Sequence, residues 1–248
     1  MVKFIDVRVR EEEILDLIAE SYIQESKPIS SAYLCQKCKL NYSPATVRNI
    51  MLSLENQGLL CHLHTSSGRV PTQNGFKQYV QRLKGKDIAD TFSSLLNSTS
   101  SVNFGIEEII DHSLDALVET SGYTSMVAVS GQKEKIFFRG MRLIMDQPEF
   151  EDIERLKHIF YTLEMKMDDL QEVLFSCIDA DIQILIGDDI GFDGISDCSL
   201  VASGLKGKDL IFALALLGPM RMNYTKALGC LQSVTKQLRV IMEDFIQS

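Results

Sequence analysis

Apolar side chains recur along residues 11–24 at Ile14, Ile18 and Tyr22, with Leu15 and Leu17 beside them. That spacing predicts a helix with one broad apolar face. Glu11, Glu12 and Glu13 fall in its first turn, where the helix dipole favours negative charge. Ser26-Lys27-Pro28 ends it. Ser30 or Ser31 caps a second short helix over 32–37, and residues 39–42 form a turn. Ser43-Pro44 then supplies a capping residue followed by proline at the first helical position. Val47, Met51 and Leu54, with Ile50 next to them, carry a third helix over 44–57, and Gly58 stops it. Residues 59–63 read as a short strand, 65–68 as a turn, and Arg69-Val70 as a return strand. Pro71-Thr72 leads into a closing helix over 73–83. Its Phe76, Tyr79, Val80 and Leu83 point inward, while Lys77, Arg82 and the following Lys84 point outward. Three helices with a short turn between the last two, followed by a small hairpin, outline a winged helix-turn-helix DNA reader. Its third helix is the one that enters the major groove.

From 85 to 103 the pattern loses its period and turns rich in Ser and Thr, which marks a linker. Beyond it helices and strands alternate. Helices are predicted over 106–120, 150–163, 166–175 and 224–246, and strands over 125–130, 135–139, 181–186, 199–202 and 210–217. This order suggests a small antiparallel or mixed sheet with helices on one face, an α+β domain.

Charge sharpens the division. The 248 residues carry a formal net charge of −9, which taken whole argues against nucleic acid. Residues 1–86, however, hold 12 Lys+Arg and 8 Asp+Glu, while 87–248 hold 13 and 26. Within 37–86 there are 8 basic residues and a single acid, Glu55. A basic module joined to an acidic one can face phosphate while its acidic partner is held away. No apolar run is long enough to span a membrane, and the N-terminus lacks the apolar core of a signal peptide, so a cytoplasmic protein is expected.

On the outer side of the third helix Ala45, Asn49 and Asn56 lie opposite the apolar stripe, flanked by Thr46, Arg48 and Ser53. That face is small and polar, with one arginine and almost no acid. Arginine suits guanine and asparagine suits adenine, and the free amides near Pro44 can hold a phosphate. The hairpin adds His62, His64 and Arg69 around a Thr65-Ser66-Ser67-Gly68 tip that allows close approach to a backbone. The candidate DNA-contacting residues are therefore Ser43, Ala45, Thr46, Arg48, Asn49, Ser53, His64, Thr65, Ser66 and Arg69. The alternative is a solvated helix face and an ordinary surface turn.

Other chemistry is thin. Cys35 and Cys38, joined by Cys61, His62 or His64, could complete a zinc site, but the second pair lacks metal-ligand spacing. Free thiols, no metal and no cofactor are expected. Asp188, Asp189 and Asp193 lie among glycines in a loop that could hold a cation, but they miss the spacing of a calcium loop. No nucleophile–base motif or P-loop occurs, and His62, His64, His112 and His158 form no constellation, so an enzyme is not expected.

Several longer motifs resemble one family. Ser43-Pro44-Ala45-Thr46-Val47-Arg48-Asn49 is similar to SSATIRN, residues 54–60 to LEELGLL, and residues 64–72 to HTSAGRIPT. Further on, residues 147–150 read QPEF, 197–201 read DCSLV, and 218–224 are similar to GPTRMDY. These are motifs of HrcA, the heat-inducible transcription repressors of bacterial chaperone operons. The resemblance implies a winged-helix DNA-binding domain over 1–86, a linker over 87–103 and a GAF-like α+β domain over 104–248. It also implies a homodimer that binds an inverted-repeat operator in double-stranded DNA and represses heat-shock genes, with activity modulated by a GroEL-type chaperonin. A regulator whose GAF-like domain senses a small molecule or cation is the alternative. The sequence departs from the family in three ways. Ile50 stands where Asp is usual, Met220 and Asn223 replace Thr and Asp, and the dimerising segment inserted after the first strand of the second domain is absent. Dimerisation would then fall to the second domain, including its first and last helices.

Overall fold

In the computed structural model the chain divides into two compact units, Met1–Lys86 and Asp87–Ser248. The structure describes residues 2–63, 68–83, 105–131, 134–178, 182–207 and 210–247, with side chains between 7 and 242. The expected linker over 87–103 lies outside the described residues.

The first unit runs α1 (Val2–Glu25), α2 (Ser31–Cys38), α3 (Pro44–Asn56), β1 (Leu60–His62), β2 (Arg69–Pro71) and α4 (Gln73–Leu83). Its core joins Ile14, Leu15 and Ile18 of α1 to Leu34 of α2 and to Val47, Met51 and Leu54 of α3. Apart from Leu34, these are the positions that helical spacing selected. Two expectations are corrected. α1 begins well before residue 11, so its three glutamates sit mid-helix, away from the N-terminal dipole. They make side-chain contacts instead: Glu11 accepts from Ser53, Glu12 from Arg8 and Glu13 from Tyr42. Arg82 does not point into solvent, because Asp16 of α1 pairs with it at 2.9 Å across the α1–α4 contact.

The second unit runs α5 (Ile106–Ser121), β3 (Thr124–Ser130), β4 (Lys135–Arg139), α6 (Arg142–Met145), α7 (Ile153–Met165) and α8 (Met167–Ser176). It continues with β5 (Gln183–Ile186), β6 (Cys198–Lys206), β7 (Ile211–Pro219) and α9 (Tyr224–Gln247). Short 3-10 turns cover Pro148–Phe150, Gly187–Ile190 and Asp193–Ile195. The helix expected over 150–163 therefore starts later. Phe150 closes a turn and is buried, and the Asp152 carboxylate caps the helix by accepting from the Glu154 amide.

Strand order is β4-β3-β7-β6-β5, antiparallel throughout. Helices cover both faces, not one. Met126, Leu200 and Ala215 join the core with Leu163 of α7 and Leu174 of α8. On the opposite face Ser125 donates to the Leu114 carbonyl of α5, and Ser199 meets the Tyr224 hydroxyl of α9. The strands required this. β3 is buried from Thr124 through Val129 and β7 from Phe212 through Pro219, and strands without a polar alternation have no face to give to water. The whole is α+β, a winged helix-turn-helix unit followed by a GAF-like unit. Among the described residues no helix is long and apolar enough to cross a membrane.

Candidate nucleic-acid interface

α3 starts as its sequence requires. Ser43 holds the N-cap position in extended backbone, and its hydroxyl accepts from the Thr46 amide at 3.1 Å and lies 2.9 Å from the Thr46 hydroxyl. Pro44 supplies a first helical residue whose missing N–H leaves no donor unpaired. With Val47, Met51 and Leu54 turned into the core, Ala45, Thr46, Arg48 and Asn49 stand exposed on the other side. Arg48 makes no hydrogen bond or ion pair with any described residue. Leu52, which is not among the candidates drawn from the sequence, is 49% exposed on the same side, one turn beyond Arg48. An exposed leucine amid small polar residues was the available signal.

The other candidates separate from this face. Ser53 is half-buried and donates to the Glu11 carboxylate at 2.6 Å, so its hydroxyl is occupied by α1. Arg69, expected to offer charge at the hairpin, lies over α3 instead: its Nε and Nη2 donate to Glu55 Oε2 at 2.9 and 2.8 Å. Glu55 was visible in the sequence as the lone acid of a basic segment, but its partner was not. His64, Thr65 and Ser66 lie outside the described residues. Arg48, Asn49, Ala45 and Thr46 thus share one surface, and Arg69 and Ser53 serve its attachment to the rest of the unit.

The root of the hairpin is held closely. Ile29 and Arg69 exchange two backbone hydrogen bonds of 2.9 Å, which adds a bridge to the β1–β2 pair. A methyl at Gly68 would overlap the Ile29 backbone, so only glycine fits there. The Thr72 hydroxyl donates to the Gly58 carbonyl at 2.7 Å. The Gly-Arg-Val-Pro-Thr stretch is accordingly read as the fastening of the hairpin.

No described group of three or more His, Cys, Asp or Glu could hold a metal ion. Burial pushes the Cys38 and Cys61 thiols above their ordinary pKa. Cys35 points its thiol to the Tyr42 carbonyl at 3.6 Å. In the second unit a cavity of about 370 Å³ lies against Arg155, His158, Asp193 and Asp197, at one end of the acidic loop. Two distant motifs also meet in the second unit: Arg221 donates to Glu149 at 3.1 Å and to Gln147 at 3.2 Å. The outward side of α5 is charged, with Asp111 and Asp115 both paired to Arg139. Exposed large apolar side chains gather on α7 and the start of α8, at Ile153, Tyr161, Met165 and Met167.

The family model described as the HrcA protein C terminal domain matches residues 39–228. The heat-inducible transcription repressor HrcA of Desulforudis audaxviator is 25% identical over 342 residues, covering 94% of this chain and 97% of that protein. The repressor of the same name from Geobacter sulfurreducens is 26% identical over 339 residues, covering 96% and 99%. Those alignments have 94 and 91 more positions than this chain's 248 residues, so each relative has at least that many residues with no counterpart here. A crystal structure of a hypothetical protein at 2.2 Å superposes with a TM-score of 0.76 at 16% identity, covering 95% of this chain and 97% of that one. It shares the fold.

Proposed function

The chain belongs to the HrcA family, and on that premise we propose that it is a transcriptional repressor that binds double-stranded DNA at an inverted repeat as a homodimer. Its work is to keep heat-shock genes off in the cytoplasm, with a GroEL-type chaperonin modulating the active fraction. The observation that carries the DNA-binding step is the outward face of α3, where Arg48 and Asn49 stand exposed beside Ala45 and Thr46 with no acid among them. Arginine can give a guanine two parallel hydrogen bonds, and asparagine can do the same for adenine. Leu52 adds an apolar contact of the kind that suits a thymine methyl. The Ala45 amide at the N-terminus of α3, where Ser43 already takes up those of Thr46 and Val47, suits a phosphate and would set the register of the helix on the duplex. The role is one of binding rather than catalysis.

Selection of bound DNA from a random pool with the full chain tests this. Recovery of a palindrome whose half-sites are about one helical turn or a multiple apart is the expected result. Recovery of no preferred sequence would overturn sequence-specific repression.

A further inference from the structure

An arginine beside a DNA-reading helix ordinarily offers its charge to phosphate. Arg69 does not stand free to do so. Its side chain is only 13% exposed, and its partner Glu55 is 26% exposed. Glu55 is rooted in the last turn of α3, and its two oxygens reach both strands of the hairpin. Oε2 accepts from Arg69 on β2, and Oε1 lies 3.5 Å from His62 Nε2 on β1, where His62 and Arg69 are direct partners in the strand register. One carboxylate on the recognition helix therefore grips the hairpin across its width. A planar guanidinium held through two nitrogens fixes direction as well as distance, which a single ammonium contact does not.

We propose that Glu55 and Arg69 are positioning residues for DNA binding: their ion pair sets the hairpin against α3, and Arg69 itself neutralises no phosphate. This rests on the DNA-binding role argued above. Removing either partner would leave α3 and its exposed residues in place but let the hairpin turn relative to them. Removing Glu55 alone would also release a cation onto the DNA side.

The test uses the full chain with two duplexes, the one recovered by selection and one of unrelated sequence, with affinity measured against salt. Arg69→Gln and Arg69→Lys should each weaken binding to the selected duplex about tenfold and leave the salt slope unchanged, because neither removes a phosphate contact. Glu55→Gln should weaken the selected duplex similarly but steepen the slope on the unrelated duplex by about 0.9, the value for one added phosphate contact. The double variant should bind no worse than either single one. A slope flattened by about 0.9 in Arg69→Gln, with Arg69→Lys behaving as the parent protein, would assign Arg69 to phosphate and overturn the proposal. Hydrogen exchange of the β1 and β2 amides without DNA is the second readout. Glu55→Gln should speed it about tenfold, and unchanged exchange would refute the grip. If the parent protein binds neither duplex, the DNA-binding role falls, and exchange still decides whether the ion pair holds the hairpin.

Discussion

Arg48 and Ser53 lie on the same helix and meet different surroundings. Arg48 faces outward without a described partner, while Ser53 gives its proton to Glu11 of α1. Arg48→Ala should weaken binding to the selected duplex by about ten- to a hundred-fold and relax the base preference at one position of each half-site. Ser53→Ala should leave affinity within about twofold, since its hydroxyl already has a partner inside the unit. Titration of labelled duplex with each variant checks both, and the opposite ranking would move the reading face around the helix. Ser43 is of the second kind, because capping already engages its hydroxyl with the Thr46 amide.

At the scale of elements, close approach decides what propensity cannot. Gly75 lies inside α4, where alanine would ordinarily add about 1 kcal/mol of helix stability. A methyl there would overlap the Leu59 carbonyl oxygen and press on Pro71, so the hairpin root and α4 would have to part. Gly75→Ala should therefore destabilise by about 1–3 kcal/mol in spite of its better propensity. Urea unfolding of the full chain followed by ellipticity measures it, and a raised midpoint would show that the contact relaxes freely. Gly68 against Ile29 follows the same rule on the other side of the hairpin. The motif around residues 64–72 is thus partly a packing motif, since Gly68, Arg69 and Thr72 are engaged by the unit itself.

At the scale of the molecule, charge and symmetry matter most. The first unit's basic residues are fewer in effect than in number. Lys37 pairs with Glu25, Arg69 with Glu55 and Arg82 with Asp16, which leaves Arg48 prominent beside the N-terminus of α3. A palindromic site read by two copies of α3 requires a two-fold assembly. Sedimentation equilibrium of the full chain should return twice its 27.9 kDa. A stable monomer that binds the whole palindrome one to one would refute the dimer. The residues that the Desulforudis and Geobacter relatives carry without counterpart here make that measurement informative, because any dimer of this chain forms without them.

Helical spacing marked α3 with its buried stripe, α4 and all but the start of α1, and apolar runs marked the strands β3 and β4. Helical spacing is a relation between residues a few positions apart, which the sequence displays directly. Ser43-Pro44 marked the start of α3 for the same reason. Burial of β6 and β7 on both faces was only half visible: the apolar runs were plain, but not that α5 with α9 and α7 with α8 divide the two faces between them. What tertiary structure alone decided is which charged groups meet. Arg82 finds Asp16, Arg69 finds Glu55 and Arg221 finds Glu149, and in sequence all three arginines look equally free. An ion pair leaves no periodic trace, because it depends on where the packed apolar faces bring two distant backbones. The candidate reading face was therefore legible as residue types on one side of α3, and its limits became visible only when folding showed which of those residues were already held.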